Sequence, residues 1–199
     1  LALFAAIPLI PIAAADAVQQ ALNCNIGPVR KTYGKTRWLV RSCTDNKTVV
    51  LVSDTGSPAM PFYFTFYVKD GGYRLTGEGT GSKEATAAAF EELKLLTAQD
   101  ITELLERTRK VNAERLVNVM RIDEFALAGM RYSIHQANQE GRVQPETLNC
   151  VMSKTKYVFT PIFVNMFQSA LIPQEISDAI RFHEGPIGKK YVALGFVMF

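Results

Sequence analysis

The sequence predicts an α+β fold, in which a four-stranded antiparallel β-meander with one packed helix precedes an all-α helical bundle. Two observations support this prediction. Between residues 24 and 97, short segments alternate apolar and polar side chains and are separated by turn residues, as strands are. From residue 98 onward, apolar residues recur at intervals of three and four, the spacing of amphipathic helices. We therefore expect one domain over residues 16–97 and a helical domain over residues 98–199.

The four strands follow from patterning with a period of two. A half-exposed strand is predicted near residues 36–43, and the continuous apolar run at 49–52 is typical of a central strand. The segment 62–69 alternates most regularly, with phenylalanines on one face and tyrosine, threonine and lysine on the other. Turn residues at 70–72 lead into a fourth strand at 73–76, which completes a hairpin.

One helix is predicted to cross a face of this sheet. Ser82 is a favourable N-cap residue, and the helix should extend to about Leu96. Its sheet-facing positions are apolar at helical spacing: Ala85, Ala89, Leu93 and Leu96.

The second half of the chain should be entirely helical. Thr97 and Asp100 resemble a capping box, and the apolar periodicity that follows continues towards Gly141. Further helices are expected after Pro145, over residues 159–171, from Pro173 to the Gly185-Pro186 stop, and from Ile187 onward.

The first fifteen residues indicate the compartment. Residues 1–15 carry no charge and end in Ala13-Ala14-Ala15, which is typical of the apolar region and cleavage site of a signal peptide. The run is shorter than the roughly 20 residues of a spanning helix. We expect a signal peptide over residues 1–15 and a periplasmic protein that is soluble after its removal.

Three cysteines are present. In an oxidising compartment Cys24 and Cys43 are the natural pair, and closing a loop of this size would stabilise the fold by roughly 3 kcal/mol. For the remaining Cys150 we expect a buried thiol; the alternatives are intermolecular pairing and pairing with a cysteine lost with a truncated terminus. The cysteine spacing and two distant histidines do not predict a metal site, and no cofactor is expected.

The overall charge does not favour nucleic acid as a partner. The chain has 22 Lys and Arg against 19 Asp and Glu, a net charge of +3. Residues 30–47 are locally basic, with Tyr33 and Trp38 interleaved, a combination found in single-strand binders. In an exported protein an anionic glycan, a lipid head group or an acidic partner fits better. A solvated strand face with Trp38 in the core explains the segment most simply.

One motif suggests an enzyme. Asp54-Thr55-Gly56-Ser57 follows an apolar strand and matches the D-T-G-S of aspartic proteases, whose chemistry needs two carboxylates sharing a proton. A single copy would require a symmetric dimer, and Pro58 and Pro61 interrupt the expected continuation. We therefore interpret these residues as a turn between two strands.

A glycine-rich segment suggests a phosphate loop. Residues 77–83 lie between a strand and a helix, but their spacing does not match a P-loop. A glycine-rich turn before a capped helix explains them, with a weak anion site at the helix N-terminus as the alternative. For His183 we expect an ordinary position at a helix end. No catalytic residue is assigned.

The end of the chain resembles a known family. The segment 173–176 provides an acidic helix start, and residues 182–190 follow an aromatic-x-x-(Ser/Gly)-Pro-x-Gly-x-Lys pattern. With the helix at 159–171, roughly residues 110–199 are similar to an uncharacterised domain of unknown function in exported proteins of Gram-negative bacteria. His183 stands where that family usually has tyrosine, and Gly185 where serine is usual. The resemblance implies a periplasmic helical bundle and provides no catalytic residue. Within the motif we expect Phe182 and Ile187 to pack across a tight corner.

Together these observations predict an exported, non-catalytic protein that binds a protein or another component of the cell envelope. Two alternatives stay open. The Phe- and Met-rich helix at 159–171 and the apolar tail at 192–199 favour binding of a lipid or an acyl chain. Asp54 favours an aspartic-type hydrolase.

Overall fold

The computed structural model describes residues 22–154 and 158–195, and this part of the chain folds as five strands followed by seven helices. The predicted signal peptide, residues 1–15, lies outside the described residues. The strands are β1 (Ile26–Tyr33), β2 (Thr36–Ser42), β3 (Val49–Ser53), β4 (Phe62–Lys69) and β5 (Gly72–Gly79). The helices are α1 (Lys83–Leu93), α2 (Ala98–Met120), α3 (Ile122–Gln139), α4 (Pro145–Lys154), α5 (Phe159–Ala170), α6 (Pro173–Glu184) and α7 (Pro186–Gly195).

The predicted α+β class is confirmed, with one correction to the strand count. The sheet is an antiparallel meander of five strands in the order β1-β2-β3-β4-β5, rather than four. The missed strand is β1, which lies at an edge and pairs with β2. Its sequence contains Pro28 and the adjacent charges Arg30 and Lys31, so apolar alternation is weak. An edge position tolerates proline because one side of the strand needs no partner.

Tight turns connect the two outer hairpins. Gly34 and Lys35 link β1 to β2, and Asp70 and Gly71 link β4 to β5; all four residues have positive φ. Two-residue turns of this kind match the right-handed twist of the flanking strands. The turn predicted at 70–72 is therefore confirmed, and the β1–β2 turn is its counterpart at the other edge.

The first hydrophobic core lies between one face of the sheet, α1 and the start of α2. Trp38 and Phe64 form its centre, with ring centroids 5.0 Å apart. The predicted caps are present: the Ser82 hydroxyl accepts from the Ala85 amide, and Thr97 and Asp100 form a reciprocal capping box. The buried side chains include Val40, Leu51, Phe66, Ala89, Leu93, Ile101, Leu104 and Leu105.

The second core lies between the end of α2 and the helices α5 and α6. It contains Ala113, Leu116, Val117, Val164, Phe167, Ile176 and Ile180. Helix α2 therefore contributes to both cores, with its first turns on the sheet and its last turns among the helices. The domain boundary near residue 97 stays a prediction.

Polar side chains occupy α2 between the two cores. The buried hydroxyl groups of Thr108 and Ser42 are 2.7 Å apart. One turn later, the Asn112 amide oxygen accepts from the Gly27 backbone amide at 3.1 Å, and its nitrogen donates to Ser177 at 3.3 Å. These contacts, which we call the junction network, tie α2 to the strands on one side and to α6 on the other.

The predicted disulfide between Cys24 and Cys43 is confirmed, and it lies beside this network. It joins the segment before β1 to the residue that follows β2. The Thr44 amide also donates to the Asn23 carbonyl at 2.9 Å. The disulfide thus holds the start of β1 in place, where Gly27 meets α2.

Replacing Asn112 by alanine should lower the free energy of unfolding by about 2–3 kcal/mol, because the buried Gly27 amide and Ser177 hydroxyl lose a partner. Urea denaturation measures this. Asn118→Ala is the matched control, since Asn118 is exposed on the same helix and should change stability by less than about 0.5 kcal/mol. Equal effects of the two substitutions would contradict the role of the junction network.

Candidate functional site

Asp54 is a turn residue held by its neighbours. It follows β3 and is buried; one carboxylate oxygen accepts from the Thr55 amide at 2.9 Å, and the other lies 3.4 Å from Nε of Arg30. The Ser57 amide closes the turn by donating to the Asp54 carbonyl at 3.0 Å. Among the described residues, no contact joins Asp54 to a second carboxyl group. Its surroundings therefore match the turn interpretation.

The glycine-rich loop before α1 uses its backbone amides within the fold. The Thr80 amide donates to the Pro61 carbonyl at 2.9 Å, and the Ser82 amide donates to the Pro58 carbonyl at 3.0 Å. The Ser82 side chain caps the helix. These contacts attach the loop to the preceding segment and take up amides that a phosphate would need.

The basic segment is divided between the core and the outer face of the sheet. Trp38 is fully buried, as predicted, and its indole nitrogen donates to the Tyr33 carbonyl at 3.2 Å. Arg30 contacts Asp54, and Arg37 is exposed. Arg41 is half-buried and donates to the Asn25 carbonyl, in the segment before β1. The arginines therefore do not form a single contiguous patch with the tryptophan.

The prediction of a buried Cys150 is wrong. Cys150 is a free, exposed cysteine on α4. Among the described residues this helix packs mainly against α3, and most of its side chains are exposed. Within residues 22–154 and 158–195, no three His, Cys, Asp or Glu side chains gather closely enough to hold a metal ion.

Helix α5 exposes an apolar stripe. Its buried face, with Val164 and Phe167, packs into the second core. On another face Ile162 and Met166 of the helix and Val158, the residue just before it, follow each other at intervals of four and are 44% to 53% exposed. The helix contains no charged residue. We call these three residues the α5 face.

A second apolar stripe lies on α7. Gly188 and Val192 are buried, whereas Ile187, Tyr191 and Leu194, the α7 face, are 65% to 73% exposed. Lys189 and Lys190 are exposed on the same helix.

The corner between α6 and α7 is closed by backbone rather than by side chains. A Cβ atom at Gly188 would come within 2.2 Å of the Phe182 carbonyl oxygen. Phe182 and Ile187, which we expected to pack across this corner, are both more than half exposed. The close backbone contact between α6 and α7 leaves both side chains largely exposed.

Exposed apolar side chains that occur singly are ordinary, but contiguous ones mark interaction sites. Here they align along two helices of the same half. Helix α3, which packs against α5, has no fully buried residue. The outer helices are thus less completely packed than the sheet and α2. Periodicity alone does not tell a packed face from an exposed one, so the sequence predicted these helices but not which of their apolar residues would be exposed.

Comparisons with protein-family models, curated proteins and solved structures found no match to the chain. None of the helices in the described residues is long and apolar enough to cross a membrane. The exposed faces of α5 and α7 are the features of the structure that suggest a function.

His183 lies near the end of α6, as predicted, and is half-buried. Its buried Nδ1 atom has no hydrogen-bond partner among the described residues. Burial lowers the pKa of His183 below its usual value of 6.5, because desolvation disfavours the charged imidazolium.

This lowered pKa predicts a pH-dependent stability. The unfolded chain takes up a proton at this position more readily than the folded protein. The free energy of unfolding is therefore unaffected by His183 above about pH 6.5 and falls as the pH drops below that value. His183→Gln should reduce that loss in thermal melts at pH 7 and pH 5. His135→Gln, at an exposed position, is the control and should leave the pH dependence unchanged. An unaltered pH dependence in His183→Gln would contradict the assignment.

Proposed function

We propose that this chain is an exported, non-catalytic binding protein and that its α5 face contacts a protein partner. The observation that carries the proposal is the exposure of Ile162 and Met166, with the preceding Val158, as one stripe along a helix that contains no charged residue. The cores of protein interfaces are depleted in charged residues and enriched in methionine and aromatic residues. A partner that covers this stripe would remove its apolar surface from water, the main favourable contribution to association.

The Cys24–Cys43 disulfide supports the exported location, since such bonds form and persist in oxidising compartments. The uncharged segment at 1–15 agrees with it. Both observations support a periplasmic location, which is part of the proposal. Asp54 is engaged with Arg30 and the Thr55 amide, which gives no support to hydrolysis, so the proposed role is binding.

The α7 face supports a second candidate function, contact with an anionic lipid surface. Ile187, Tyr191 and Leu194 are exposed on the same helix as Lys189 and Lys190, neither of which forms an ion pair among the described residues. Apolar and aromatic side chains next to lysines are typical of helices that lie in the head-group region of a bilayer. An acyl chain inside the bundle has less support, because the cleft of about 600 Å³ between α2 and α5 is lined by charged and amide side chains such as Glu106, Arg109 and Gln168.

The protein-binding proposal predicts a specific pattern of cross-linking in the periplasm. A photoreactive amino acid at Met166 should give a discrete protein adduct, whereas the same group at Thr102, exposed on α2, should give none. Adding Ile162→Asp should reduce the Met166 adduct about tenfold, because a charge in an apolar contact is costly. Thermal melts check that this variant stays folded. Equal adducts from both positions, or none from Met166, would count against the α5 face.

The lipid candidate predicts binding to vesicles that contain phosphatidylglycerol and none to pure phosphatidylcholine vesicles, with a decrease as salt is added. Tyr191→Ser should weaken co-sedimentation. Tyr132→Ser, at a similarly exposed tyrosine of α3, should not. If the two variants bind anionic vesicles equally, the α7 face is not the contact.

A further inference from the structure

A small polar cleft opens beside the junction network. It has a volume of about 220 Å³ and lies where the segment before β1, the end of β2, α2 and α6 meet. The buried side chains of Asn112 and Ser177 belong to its wall, next to Asn25, whose amide oxygen lies 3.5 Å from the Ser177 hydroxyl. The cleft is smaller than the roughly 300–1,000 Å³ of sites for drug-sized molecules. Its size therefore limits an occupant to a few heavy atoms.

Three arginines from three different elements line this cleft: Arg41 of β2, Arg115 of α2 and Arg181 of α6. Glu184 also lines it, and both of its oxygens accept from Arg115 at 2.8 Å. Arg181 lies 3.0 Å from Asp178, a residue one turn earlier on the same helix. The lining side chains therefore carry two more positive than negative charges, and Asp178 offsets one of them.

Arg41 is the cation without a counter-charge. Its guanidinium donates to the Asn25 carbonyl at 3.4 Å and forms no ion pair within the part of the chain that the structure describes. It is half-buried, and the low-dielectric walls around it strengthen attraction to any anion that enters. A guanidinium also presents several donors in a plane, the geometry that matches a carboxylate or a phosphate.

We propose that this cleft is a binding site for a small oxyanion, a carboxylate or a phosphate, held by Arg41 and Arg181 above the polar wall of Asn25, Asn112 and Ser177. Arg115 is the positioning residue, because its two hydrogen bonds to Glu184 hold α6 against α2. This site is independent of the α5 and α7 faces. It adds a small-molecule specificity to a protein whose proposed function rests on apolar surfaces.

Isothermal titration of the whole protein with inorganic phosphate, and separately with succinate, at constant ionic strength tests the proposal. We expect saturable binding at one site, weakened roughly tenfold or more in Arg41→Gln and in Arg181→Gln, since each loses a charge-assisted contact. Arg37→Gln is the matched control: Arg37 is exposed on the same strand, outside the cleft, and its loss should leave the affinity unchanged.

Each result of the titrations either supports or overturns the proposal. Binding of phosphate alone, of succinate alone or of both supports an oxyanion site and identifies the group it prefers. The absence of saturable binding to the native protein, or equal weakening by Arg37→Gln, overturns the proposal. If Arg41→Gln fails to fold, Arg181→Gln decides, because the Arg181 side chain is largely exposed and tolerates substitution. Ile162→Asp should leave anion binding intact, which keeps this test distinct from that of the protein partner.

Discussion

Helix α2 is the element on which the rest of the structure depends. Its 23 residues span about 34 Å, long enough to cross from the sheet to the helical half. An apolar stripe alone would let such a helix slide or rotate against its neighbours, since hydrophobic contact is non-directional. Thr108 and Asn112 remove that freedom. Their hydrogen bonds are satisfied only when β1, β2 and α6 take up their observed positions, and burial makes any other arrangement costly.

Local signals made the fold class and several boundaries predictable. The starts of α1 and α2 could be read from Ser82 and from the Thr97 and Asp100 pair, because a cap is built from residues three apart. The Cys24–Cys43 bond followed from compartment and cysteine count. The junction network could not be predicted. Asn112 is 85 residues from Gly27 and 65 from Ser177, and no short-range pattern encodes such contacts.

The sequence also does not show which apolar stripe of a helix is buried and which is exposed. The spacing of Ile187, Tyr191 and Leu194 is helical, and so is that of the buried Gly188 and Val192 one position along. Which of the two stripes meets the core depends on how close the backbones of α6 and α7 approach. That approach requires a glycine at 188, since any side chain there would meet the Phe182 carbonyl. The prediction for Cys150 was wrong for a related reason, because burial depends on distant neighbours and, among the described residues, α4 packs mainly against α3 alone.

Helix α2 is well packed at the centre of the fold, whereas the outer helices are less completely packed, and both proposed sites involve a helix that packs against α2. A partner on the α5 face would contact a helix whose other side, with Val164 and Phe167, packs in the core formed with α2. An anion in the arginine cleft would link β2 with α6 across the same helix. Each ligand would stabilise the folded chain by mass action, because it binds the folded state and not the unfolded one. A change in affinity between the two sites would need a second arrangement of the folded chain that the ligands distinguish. The cleft and the α5 face share no residue, so a substitution in one site serves as a control for the other.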